Sequence, residues 1–256
     1  MKKIVSVLLI LFSIHSFAQK KPAYQEGEWL KFKIKYGWFN TSEATLSIKN
    51  SSLQGDPMYH VTGYGKTTGM LDVFFKVRNN FETYISKETG LPHKFIRKTS
   101  EGGHIKDKMI DFVPSQNKAI VHNYKYDTVS SHETMPSTQD MLSALYYLRN
   151  KVDIKTIKKG DEFFLNLFFD EENFNFKVKY VGDEVIKTKF GMVNTMVFKP
   201  YVQADKVFKD EEGVTIWISK DHNKIPLKIE ADILVGSIVA SLDKYSGLRN
   251  PFLIQY

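Results

Sequence analysis

The carboxy-terminal run TIWISKDHNKIPLKIEADILVGSIVASLDKY alternates apolar and polar residues with a period of two, broken by a turn at Asp221-His222-Asn223. Successive strand side chains point to opposite faces, so this pattern builds an antiparallel sheet with one apolar face and one solvated face. A curved sheet of this kind covers its apolar face by packing on a helix or by holding something apolar.

The rest of the chain repeats the pattern. Strands are expected at EWLKFKIKYG, FNTSEATLSIKN, MYHVTGYGK, VRNNFETYIS, HKFIRKTSEGG, KDKMIDFVP and KAIVHNY, with turns at ETGLP and Gly102-Gly103. After residue 160 come EFFLNLFFD, NFNFKVKYVG, DEVIKTKFG, MVNTMVFKPYV and GVTIWISK, followed by KIPLKIEAD and ILVGSIVASLDKY. Short turns between strands make antiparallel neighbours, and no alternation of strand and helix points to a parallel sheet. Residues 69–76 read as a short helical turn or an apolar bridge. The polar stretch 127–137 reads as a linker. One helix is expected from Thr138 to Asn150, with Ser137 as its N-cap and Asp140 three residues on. Met141, Leu142, Leu145 and Leu148 form its apolar stripe, widened by Ala144 and Tyr146.

The fold expected is therefore mainly β: a curved antiparallel meander forming an open or partly closed barrel, with one central α-helix packed on it. Two strand-rich halves, about 24–126 and 160–247, are joined by the linker and helix 127–150 in a single β-rich domain, 19–256.

The first residues read as a cleavable export signal, 1–18. Lys2 and Lys3 precede an apolar stretch, Ile4 to Ile14, shorter than the roughly 20 residues of a membrane span. Ser16-Phe17-Ala18 offers small residues for cleavage after Ala18, and the absence of Cys excludes lipoprotein processing. The remaining chain is expected in the periplasm, with secretion to the medium as the alternative. It must fold without disulfides, on a hydrophobic core that a chain of this length can build. Its formal charge of +7 falls to +5 on loss of Lys2 and Lys3. Lysines such as Lys31, Lys33 and Lys35 interleave with Phe32, Ile34 and Tyr36, as on a solvated sheet face, and no basic cluster points to nucleic acid.

Motifs for chemistry are weak. No two histidines have a metal-site spacing, so neither metal nor cofactor is expected. Gly63-Tyr64-Gly65 followed by Gly69 lacks the helix a dinucleotide loop needs. Ser115-Gln116-Asn117-Lys118 follows Pro114 in a turn rather than opening a helix. The acidic clusters at 170–172 and 210–212 sit in turns, and nothing in the sequence brings them together. The chain is not expected to be an enzyme.

Aromatic residues are plentiful. In Phe163-Phe164 and Phe168-Phe169, adjacent rings on one strand imply that both of its faces are partly covered. That surplus packs a helix or lines a cavity for an apolar ligand. The candidate ligand-binding residues are Phe74, Phe75, Met141, Leu145, Tyr146 and Trp217, with the helix or the 127–137 linker as a lid. The function expected is non-catalytic binding of a lipid, a lipid-modified partner or an envelope glycan. The alternatives are a structural or interaction module whose core fills itself and, behind it, an envelope hydrolase.

GEWLKFKIKYGWFNTSEATLSI, QDMLSALYYLRN and TIWISKDHNKIPLKIEADILVGSIVASL resemble the exported bacterial domain-of-unknown-function family DUF3108 over nearly all of the mature chain. That resemblance implies no activity and no catalytic residues. Trp217, Asp221, Pro226 and Glu230 also resemble the closing hairpin of lipoprotein-carrier half-barrels of the LolA/LolB kind. This likeness implies a curved sheet wrapped around helices that holds acyl chains in its concavity.

Overall fold

The computed structural model describes residues 21–202 and 213–255. The segment expected to be an export signal, 1–18, and the acidic cluster at 210–212 expected in a turn lie outside the described residues.

The first half supplies strands β1 (Trp29–Tyr36), β2 (Phe39–Leu53) and β3 (Asp56–Thr67), then a six-residue helix α1 (Gly69–Phe74). It continues with β4 (Val77–Ser86), β5 (Pro92–Glu101), β6 (His104–Val113), β7 (Lys118–Asn123) and β8 (Thr128–Glu133). Helix α2 (Met141–Lys151) follows. The second half supplies β9 (Glu162–Phe169), β10 (Glu172–Thr188), β11 (Gly191–Val202), β12 (Val214–Ser219), β13 (Pro226–Asp232) and β14 (Ser237–Ser246).

All 14 strands of the described residues join one antiparallel sheet in the order β8-β7-β6-β5-β4-β3-β2-β1-β14-β13-β12-β11-β10-β9. The meander is interrupted once, where β1 pairs with β14 through Trp29 opposite Ser246 and Tyr36 opposite Ile238. The two halves thus meet in the middle of the sheet, and β8 and β9, neighbours in sequence, become its outer edges. The sheet curls into a barrel-like shape without closing, as the two-faced strand pattern leads one to expect.

The seam between the edges is built from backbone and side chains. Gln139 forms a parallel bridge with Leu167. Its N–H donates to the Asn166 carbonyl at 2.8 Å, and the Phe168 N–H donates to its carbonyl at 3.0 Å. Asn166 and Asn173 side-chain amides donate to the Pro136 and Glu133 carbonyls, each at 2.8 Å. Phe168 packs on Phe95, Ile110, Phe112 and Val121, so the β9 edge tucks against β5–β7. Arg97 reaches Asp170 at 2.7 Å, and Lys108 reaches Glu171 at 2.7 Å, across the same seam.

Three local readings are corrected. Residues 128–133 are not linker but the edge strand β8. An edge strand solvated on one side tolerates a polar sequence, and here Ser130 and His132 are half-buried while Val129 is exposed. Ser137 does not cap α2: it lies in the left-handed region at φ 55°. The cap is Asp140, three residues later, and the helix runs to Lys151. Finally, NFNFKVKYVG and DEVIKTKFG are one strand. A register shift between Tyr180 and Gly182, with Gly182 at φ +136°, bends β10 where a turn was expected.

Candidate functional site

Helix α2 lies inside the curl of the sheet, which its apolar stripe dictates. Tyr146, with Leu142 and Leu145, packs on Tyr24, Ile48, Val61 and Ile85. Ala144 and Val152 pack on Leu165, Val178, Tyr180, Met196, Phe198 and Ile218.

Asp140 sets where the helix begins. Its Oδ1 accepts from the N–H groups of Leu142 (2.8 Å) and Ser143 (2.9 Å), and its own N–H donates to Ser143 Oγ at 2.8 Å. Thr83 Oγ1 on β4 donates to Oδ2 at 2.6 Å, tying the cap to the sheet. The carboxyl is fully buried, and burial raises its pKa, opposed by these hydrogen bonds. A carboxyl that holds its proton more tightly when folded loses stability as pH rises from the ordinary carboxylate range through its folded pKa. Asp140→Asn keeps an acceptor for the cap and carries no charge. Its stability is expected to vary less with pH across that interval than the wild type's, as urea denaturation at a series of pH values would read. Asp140→Ala is expected to cost about 1–2 kcal/mol through the lost cap.

The packing leaves a cavity of about 390 Å³ between α2 and strands β9–β13. The helix contributes Met141, Ala144, Leu145 and Leu148; the sheet contributes Phe176, Met196, Phe198, Ile216, Ile218 and Ile229 among others. Only Arg149 and Lys224 carry charge into the lining. Arg149 is neutralised where it stands, by a buried bidentate pair with Glu28 at 2.6 and 2.7 Å. The volume falls within the roughly 300–1,000 Å³ range of small-molecule pockets. Aromatic contacts brace one wall, Tyr180 to Phe198 at 5.4 Å and Phe163 to Phe198 at 6.2 Å.

A polar recess of about 710 Å³ lies at the carboxy-terminal end of α2. Lys21, Lys87, Lys151, Lys224, Arg249 and His222 line it together with Glu88, and Lys224 is shared with the apolar cavity.

Of the six residues singled out in the sequence, the fold brings two, Met141 and Leu145, to the cavity. Tyr146 is fully buried on the other side of the helix, its ring 4.9 Å from that of Tyr24. Trp217 lies on the opposite face of β12 from Ile216 and Ile218. Its indole N–H donates to Glu184 Oε2 at 2.8 Å, and Lys228 Nζ sits 4.3 Å from the ring. Phe74 is the last residue of α1 and Phe75 its C-cap, and both are exposed. Ile216, Ile218 and Leu148 were missed. Strand parity around Trp217 was the available signal, since Ile216 and Ile218 share the face that Trp217 does not.

Among the described residues, no three His, Asp or Glu side chains converge as a metal site would require. No helix among them is long and apolar enough to cross a membrane.

The model of a protein family described as protein of unknown function (DUF3108) matches residues 31–243. Among solved structures, the chain is similar to a β-barrel-like protein of the domain of unknown function DUF1849 from Brucella abortus. The TM-score is 0.55 at 10% identity, covering 87% of this chain and 98% of that one. A candidate lipoprotein from Parabacteroides distasonis aligns with a TM-score of 0.34 at 12% identity, over 88% of this chain and 98% of that one. No curated protein matches.

Proposed function

The chain belongs to the family of proteins of unknown function DUF3108, and from that premise we propose that it binds an apolar or lipid-like ligand, without catalysis, in the bacterial cell envelope. One observation carries this reading: the space of about 390 Å³ beside α2, walled almost entirely by apolar side chains. An occupant would remove apolar surface from water at about 25 cal/mol per Å². The neighbouring cationic recess, reached through Lys224, suits the polar end of an amphiphile that carries negative charge. The amino-terminal run that reads as an export signal, Lys2-Lys3 followed by Ile4 to Ile14, supports placement in the periplasm. The same space argues against a core that fills itself.

Native mass spectrometry of the protein purified from the periplasm, beside an organic extract, tests the reading. The expected result is a mass excess that disappears on extraction and reappears in the extract as lipid. Ile216→Trp, which fills the cavity from β12, is expected to leave the fold cooperative and the occupant largely absent. A clean unliganded mass, unchanged on adding envelope lipids, would overturn the proposal.

A further inference from the structure

One end of the barrel carries apolar side chains that no described residue covers. The β1–β2 turn raises Trp38, 96% exposed, with Phe39 exposed beside it. The β13–β14 turn raises Ile233, Leu234 (86% exposed) and Val235. This stretch was expected to open the last strand; it is instead a turn at the rim, with Gly236 at φ +80° and β14 starting at Ser237. Helix α1 adds Met70, Val73 and Phe74, the last 80% exposed.

The three tips are neighbours, held in fixed positions. Tyr36 Oη donates to the Val235 carbonyl at 2.9 Å, joining the first two. The Thr68 N–H donates to the Thr41 carbonyl at 2.9 Å, seating α1 beside the start of β2. Asp72 on α1 accepts from Thr67 Oγ1 at 2.6 Å and from both Arg78 terminal nitrogens at 2.6 and 2.9 Å. A small helix with no buried residue is thus pinned by its polar side, and its apolar side is left outward.

We propose that this rim docks the protein onto a lipid bilayer surface, with Trp38, Phe39, Leu234, Val235, Val73 and Phe74 entering the interface. Exposed apolar patches of this extent mark interaction sites. The shape selects the partner. Separate convex tips on turns do not make the self-complementary patch of a twofold dimer, whereas a fluid bilayer admits each tip independently. Trp and Tyr beside aliphatic tips match the mixed polarity of the interface. Charge agrees: Lys35 and Lys76 are exposed beside the tips, Asp72 is held by Arg78, and Glu43 by Lys31 and Lys66. Among the described residues, Asp232 is the one further exposed carboxylate next to a tip. Docking here does not depend on whether the cavity is filled. It is nonetheless continuous with it, since β13 lines the cavity at Ile229 and ends in the Ile233–Val235 tip.

The test is flotation of the purified protein with phosphatidylcholine vesicles, with and without phosphatidylglycerol, and with brominated acyl chains to quench tryptophan. Trp38 is the reporter, because Trp217 is buried and Trp29 half-buried. The protein is expected to float, more strongly with phosphatidylglycerol, and its exposed tryptophan emission to be quenched. Leu234→Ser/Val235→Ser, at exposed positions, is expected to stay folded and to lower the partition coefficient by roughly tenfold or more. Absence of flotation, or equal flotation of the double variant, would overturn the proposal. Self-association that the variant abolishes, without vesicle binding, would overturn it in favour of a second copy.

Discussion

Arg149→Met is expected to lower folding stability by about 3–5 kcal/mol. Arg149 and Glu28 are 2% and 1% exposed and meet through two parallel hydrogen bonds. The guanidinium also donates to the Asn223 carbonyl, from Nε at 3.1 Å and from Nη2 at 2.9 Å. It sits 5.4 Å from the Tyr24 ring and 5.2 Å from the Tyr146 ring. One side chain thus ties together the entry to β1, the last turn of α2 and the β12–β13 loop. Methionine fills the space of the stem but leaves the Glu28 carboxylate buried without its counter-charge, and that desolvation dominates the cost. The pair itself need not be strongly stabilising. Glu28→Gln/Arg149→Met is therefore expected to be less destabilised than Arg149→Met alone, by 1 kcal/mol or more on the order of typical coupling between contacting residues. Urea denaturation of the three variants measures both quantities. A loss near zero for Arg149→Met would mean that water reaches Glu28 and that the helix end is not packed as described.

Little of that clamp was legible in the sequence. Glu28 and Arg149 are 121 residues apart, and no local pattern links them. What was legible was whatever a period encodes. Alternation located the strands, and the 3.6-residue stripe of Met141, Leu145 and Leu148 placed α2 against the sheet. Capping was misplaced because Ser137 and Asp140 both have N-cap chemistry. The choice falls to Asp140 through Thr83 on β4, a contact made only in the folded chain. Residues 128–133 were misread because an edge strand buries too little to show an apolar face. The cavity is a matter of volume between elements, which no residue pattern records. Hence two of the six candidate residues reached it, while the pair at Phe74 and Phe75 went to the rim. Pairing of the two halves through β1 and β14 was also invisible, because it joins the two ends of the sequence.

The doubled aromatics of β9 carried more information than their position suggested, and they support the second large prediction. Phe168→Ala is expected to cost about 3–5 kcal/mol, as for other buried aromatic truncations. Phe168 is 1% exposed, with its ring 6.2 Å from Phe112 and 5.7 Å from His132. Its backbone N–H makes one of the two hydrogen bonds to Gln139, so the residue closes the seam by both main chain and side chain. Truncation leaves a void between β9 and the face formed by Phe95, Ile110 and Val121, where few groups can move in to fill it. Phe164→Ala, four residues earlier on the same strand, removes the same ring from a position 70% exposed, and is expected to change stability by about 0.5 kcal/mol or less. Hydrogen exchange separates a seam from a general core. In Phe168→Ala, protection should fall first at residues 134–139 and along β9, while β1 and β14 at the middle of the sheet keep theirs. Uniform loss across all fourteen strands would show that the edges are not the weak point of the barrel. Selective loss would mark the seam as the place where this unclosed sheet opens, beside Leu167, which lines the cavity one residue away.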